Sequence, residues 1–115
     1  DALRQPLEAH LARLHQVTLT LLGDLMQGKI NQGLANSALY LKVFGHAVIG
    51  WRWLEQALRA TQGLEQGNAA DADFYHGKLQ AARWFLTCEV PGCEPELRLL
   101  ETRNTTCLDM QEDWF

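Results

Sequence analysis

Residues 34–62 read LANSALYLKVFGHAVIGWRWLEQALRATQ, a stretch without proline in which apolar side chains return every three or four positions. Leu34, Ala38, Leu41, Phe44, Val48, Trp51, Leu54 or Glu55, and Leu58 fall on one stripe of a helix. At 1.5 Å per residue this is a rod of about 40 Å, long for a globular protein. The flanks are apolar too, through Ala35, Leu39, Val43, Ala47, Ile49 and Trp53. A helix apolar over so much of its circumference is expected at the centre of the fold, with Trp51 buried and Gly63 closing it.

On the N-terminal side, Leu7, Leu11, Leu14, Leu21 and Leu25 step by threes and fours, with Val17 or Thr18 filling the gap. They predict a helix from about residue 6 to 27. Pro6 is tolerated near its start, and Gly28 stops it. On the C-terminal side, residues 63–68 form a break, and Asp71 is a suitable N-cap for a third helix with Asp73 in its first turn. Phe74, Tyr75, Leu79, Ala82, Phe85 and Leu86 give that helix a buried side up to about Glu89, before Pro91-Gly92 ends it. Glu94-Pro95-Glu96 opens a fourth helix reaching about Arg103, and a short turn is expected before Trp114-Phe115. No segment alternates like a strand. The expected fold is all-α: one domain over 1–115, an antiparallel up-down-up-down four-helix bundle with a long central second helix.

The chain has 115 residues, 47% hydrophobic and 21% charged, with a net charge of −4. That balance suits one folded domain and speaks against a nucleic-acid partner, which calls for a basic patch. No apolar run is long enough to span a membrane. Charge is uneven: residues 1–63 carry six Lys/Arg and four Asp/Glu, whereas 64–115 carry four and ten. Cys88, Cys93 and Cys107 are an odd number without a CxxC pair, which points to reduced thiols in the cytoplasm rather than a disulfide framework or a zinc site. The chain opens inside a helical pattern without a methionine, so a fragment of a longer polypeptide is expected.

No constellation amounts to a complete active site. His10, His15, His46 and His76 form neither HxxxH nor ExxH pairs, so no metal site is expected. His46, on the central helix, is the most interesting of them. Gly45 and Gly50 each cost up to about 1 kcal/mol in a helix interior, which implies close backbone approach, read here as a tight crossing with Gly77 on the third helix. Trp51 and Trp53 lie about 160° apart around the helix, so one of the two faces another surface. Tryptophan at a surface suits an interface, and the terminal Trp114 and Phe115 are expected to dock on this domain or a neighbour. Glycine-rich phosphate loops and hydrolase motifs are absent.

Two segments carry a family resemblance: Tyr40-Leu41-Lys42-Val43-Phe44-Gly45-His46, running to Gly50-Trp51, and Asp71-Ala72-Asp73-Phe74-Tyr75-His76-Gly77-Lys78 with Ala82-Arg83-Trp84-Phe85 behind it. In order and spacing they resemble the extra C-terminal helical domain of long-type bacterial acyl-CoA dehydrogenases, the group that includes 3-methylmercaptopropionyl-CoA dehydrogenase. The tail Leu108-Asp109-Met110-Gln111-Glu112-Asp113-Trp114-Phe115 stands where that family has a leucine-acid-acid-aromatic end. Trp84, in place of a smaller aromatic, and the loop from Cys88 to Cys93 depart from the pattern.

The resemblance implies a parent enzyme that uses FAD to oxidise an acyl-CoA to the trans-2-enoyl-CoA, with its base and flavin in an upstream core. By the same resemblance this chain is a non-catalytic appendage without its own cofactor. Its implied partners are that core and, in an oligomer, a further subunit. Two alternatives stand beside it: a free-standing interaction or dimerisation bundle, and a metal or haem bundle using His46.

Overall fold

The computed structural model describes residues 2–67 and 69–115. Asn68, read above as part of the break after the second helix, lies outside them. The described residues are helical and contain no strand. Helix α1 spans Arg4–Met26, the one-turn α2 Ile30–Leu34, α3 Ser37–Glu65, α4 Ala72–Trp84 and α5 Glu94–Glu101.

The helix ends follow from local chemistry. Helix α1 closes with Gly28 at φ 81°, where Gly28 N–H reaches the Leu25 carbonyl and Lys29 N–H the Asp24 carbonyl. This is the double hydrogen bond of a left-handed glycine cap. Helix α3 passes through Gly63 and runs to Glu65, with Gly67 at φ 72° behind it, so Gly63 is not the terminator expected. It lies inside the helix because its missing side chain makes room for another one: a Cβ there would stand 2.4 Å from the Tyr75 ring of α4. Just past the end of α5, Arg103 has φ 53°, a strained position for a non-glycine residue. Its guanidinium donates to Asp24 Oδ1 at 2.8 Å and ties the end of α5 to the end of α1.

Cross-helix pairings set the directions. Residues 7, 10 and 18 of α1 meet 50, 43 and 40 of α3, so the two run antiparallel. Tyr75, Lys78 and Phe85 meet Gly63, Trp53 and His46, so α4 also runs against α3. The next contacts continue the same way: Lys42 pairs with Glu96, and Asn36 with the Asn104 carbonyl. Thus α5 prolongs α4 along α3 instead of turning back. The expected up-down-up-down bundle is corrected to three rods, the third one interrupted. The reason lies in residues 85–93, where a π-turn over Phe85–Glu89 and a 3₁₀ turn over Pro91–Cys93 shift the chain without reversing it. The molecule is accordingly drawn out, 64 × 31 × 16 Å, with a radius of gyration of 18.8 Å. A compact chain of this length would have about 13 Å.

The main core gathers Leu14 and Val17 of α1, Val43 and Ala47 of α3, and Cys93, Leu97 and Leu100 around α5. Leu7, Leu86 and Val90 form a smaller cluster. Replacing Gly63 by alanine should overpack the α3–α4 contact and cost about 1–3 kcal/mol in thermal or urea unfolding. Gly63→Ala combined with Tyr75→Ala should lose less than the sum of the two single changes.

Candidate functional site

The buried residues of α3 are Val43, Ala47, Gly50, Ala57, Ala60 and Gly63, a face of small side chains. Leu39, Tyr40 and Leu54 pack against the core from its edges, and other large ones point the other way. Leu41, Phe44, Val48, Trp51 and Leu58 are all exposed, Leu41 by 71% and Trp51 by 53%. They include most of the stripe that periodicity assigned to the core, so that expectation is corrected, with Trp51 as its clearest case. Helices α1, α4 and α5 together cover one side of α3 and leave this seam open. On α1, Leu11 and Leu22 are exposed too. Thr18 bonds the Tyr40 hydroxyl, and the Tyr40 ring stacks on Phe44 at 6.2 Å, linking α1 to the seam.

The glycine reading divides. A Cβ on Gly50 would lie 3.1 Å from Leu7 of α1 and 3.5 Å from Leu86 and Val90, so close approach there is real. It is an approach to α1 and the π-turn, not to Gly77. Gly45 and Gly77 both face open space within 4 Å, and the expected crossing between them is corrected. Trp53 is half-buried, with the Lys78 ammonium 5.7 Å from its ring centre. Of the two neighbouring tryptophans, Trp51 is the one turned outward. Trp114 and Phe115 are also exposed, Phe115 by 94%, on a segment anchored by the Cys107 thiol, which donates to the Ala35 carbonyl.

His46 stacks on Phe85 at 5.7 Å, with Nδ1 2.9 Å from the Lys42 carbonyl and Nε2 3.3 Å from Glu89 Oε2. Nε2 and the ring face thus meet the π-turn, whereas Nδ1 is engaged by the backbone of α3 itself. Among the described residues no three His, Cys, Asp or Glu side chains converge as metal ligands. The histidine that sequence reasoning passed over is His10, 4% exposed, whose Nε2–H donates to the Val43 carbonyl at 2.9 Å. Its place three residues after Leu7 and four before Leu14, on the buried side of α1, was the available signal. Burial pushes the His10 pKa down, opposed by its bond to Val43 and helped by His46 and Arg13 nearby. At the rim, Arg13 bonds Glu94 and Glu101 and holds Glu94 below the usual carboxylate range, while Lys42 does the same to Glu96. Burial raises the Cys93 thiol.

The arrangement is one of surfaces and ties rather than reacting groups. The family model described as "Acetyl-CoA dehydrogenase C-terminal like" matches residues 1–111. The chain belongs to this family. Over 70 residues, 59% of the chain, it is 34% identical to a curated butyryl-CoA dehydrogenase of Syntrophomonas wolfei subsp. wolfei, and it covers 12% of that protein's length.

FAD, which acyl-CoA dehydrogenases imply, is poorly matched by two depressions of the surface. The groove between Leu22, Leu25, Leu34 and Tyr40 holds about 190 Å³ and offers no cation for a pyrophosphate. The depression between residues 28–32 and Thr105–Asp109 is larger, about 530 Å³, but wide open, and both Lys29 and Asp109 line it. The groove is smaller than the about 300–1,000 Å³ usual for ligand pockets, and the larger depression does not enclose a ligand.

A buried neutral histidine binds its proton less readily than in the unfolded chain, so stability is full above the ordinary histidine pKa and falls as pH drops below it. Melting temperature should therefore decrease from pH 7 to pH 5. His10→Gln should flatten part of that slope while costing about 1 kcal/mol at pH 7.

Proposed function

We propose that this chain is the non-catalytic C-terminal accessory domain of an FAD-dependent acyl-CoA dehydrogenase, whose parent reaction converts an acyl-CoA to the trans-2-enoyl-CoA. In this reading the base and the flavin belong to an upstream core in the same cytoplasmic polypeptide. The domain contributes packing on that core or association between subunits. The observation that carries it is the exposed seam of α3. Five large apolar side chains on one helical stripe are more than a free surface usually keeps together, and such patches mark interfaces. Membership of a C-terminal dehydrogenase family and the small share of the relative that is covered both support a larger body beside it. Trp51 has the size and rigidity of an interface anchor.

The test uses the whole dehydrogenase polypeptide carrying Val48→Cys. Alkylation of that thiol should be at least tenfold slower than that of an unhindered small thiol in the same buffer. A rate equal to the small thiol's would mean the seam is uncovered and would sink the reading. The whole polypeptide should also purify with flavin absorbance, and the 115-residue chain without it. Flavin retained by the short chain would count equally against an accessory role.

A further inference from the structure

The spacing of the seam identifies what fits against it. Leu41 and Val48 repeat at seven residues, as do Ser37, Phe44, Trp51 and Leu58, and Glu55 continues the first series. This is the heptad of a helix that packs lengthwise against one other helix. We propose that the seam pairs two copies of this chain, their α3 helices antiparallel about a twofold axis between Phe44 and Val48. The proposal rests on the accessory-domain reading and commits it to association between subunits.

A twofold contact must be self-complementary, each residue meeting a partner that meets it in return. In this register Phe44 of each copy faces Val48 of the other, and Leu41 faces Trp51. Glu55, the polar member of the seam, comes opposite Ser37, so the one charge on the stripe meets a hydroxyl. Shifting the register so that Val48 faces Trp51 would press Glu55, paired with Arg52 at 2.7 Å in its own helix, against the Phe44 ring.

Two further observations fit the same pairing. Gly45 lies beside the proposed axis, and nothing within 4 Å occupies the place of its missing Cβ. A glycine that weakens a helix without serving any contact inside its own chain is explained if the second helix crosses there. Charge is the other observation. The Cys107 thiol fastens the C-terminal segment to Ala35, and beyond it come Asp109, Glu112 and Asp113 with exposed Trp114 and Phe115. In the antiparallel pair, the end of the seam beside Ala35 receives Arg59 of the second copy, a cation arriving beside an acidic, aromatic segment.

The experiment uses the 115-residue chain with Cys88 and Cys107 replaced by serine and the buried Cys93 kept. Sedimentation should show a dimer. Chains carrying Ser37→Cys mixed with chains carrying Glu55→Cys should form a disulfide-linked dimer under mild oxidation. Neither variant alone should do so, because like positions then lie about 27 Å apart along the helices. Phe44→Asp and Gly45→Leu should each weaken association at least tenfold while the helical circular dichroism is kept, Gly45→Leu in spite of its better helix propensity. A monomer at all concentrations, or cross-linking of Ser37→Cys with itself, overturns the pairing. The same two cysteine variants are read in the whole polypeptide. Protection of Val48→Cys there without the mixed cross-link also overturns the pairing and leaves the accessory role intact, whereas no protection removes both.

Discussion

The small-residue face of α3 is the constraint on which the other contacts depend. Val43, Ala47, Gly50, Ala57, Ala60 and Gly63 let neighbouring helices come close, because the separation of packed helices is set by the side chains between them. The bulk of the core is supplied from outside α3. Leu7 of α1 fills the space over Gly50, the Tyr75 ring of α4 lies on Gly63, and Leu14, Leu97 and Leu100 pack around Val43 and Ala47. With its small side used in this way, a helix so rich in large apolar residues carries Leu41, Phe44, Val48, Trp51 and Leu58 on the opposite side.

Polar ties fix the register of the rods. His10 reaches the backbone of α3 at Val43, and a shift along the helix would take this partner from the buried imidazole. Asp24, 3% exposed, is held by Arg103 across 79 residues of sequence. A buried carboxylate without a cation is strongly disfavoured, so this pair holds the end of α5 to the end of α1 and explains why an arginine adopts a left-handed backbone there. The π-turn has the same logic. Its ladder is widened by the Val90 N–H to Phe85 carbonyl bond, and its surface is held by the stack of His46 on Phe85 and the contact with Glu89. That widening carries α5 onward along α3 instead of sending it back.

These features give a domain whose polar residues are spent on holding itself together and whose apolar surplus faces outward. The family places it at the C-terminal end of acyl-CoA dehydrogenase-like proteins. In the proposed pairing, the heptad seam beside a bare glycine serves to recognise a helix rather than a small molecule.

The sequence by itself determined that the fold is helical, the approximate extent of each rod, the stop at Gly28 and the family, because turn chemistry and the 3.6-residue period act within a few residues of one another. It also showed that α3 carries more apolar surface than one neighbour can cover. Which side faces the core was decided by tertiary structure alone. Periodicity reports how side chains are distributed around a helix axis, and it rates the stripe of Leu41, Phe44, Val48 and Trp51 above that of Val43, Ala47, Gly50 and Ala57 because it weighs size. Close packing weighs fit, and the two helices that needed to lie nearest chose the small face. The same holds for Gly63, His10 and the Asp24–Arg103 pair. Each depends on a partner far along the chain, and nothing local in the sequence records where that partner will be.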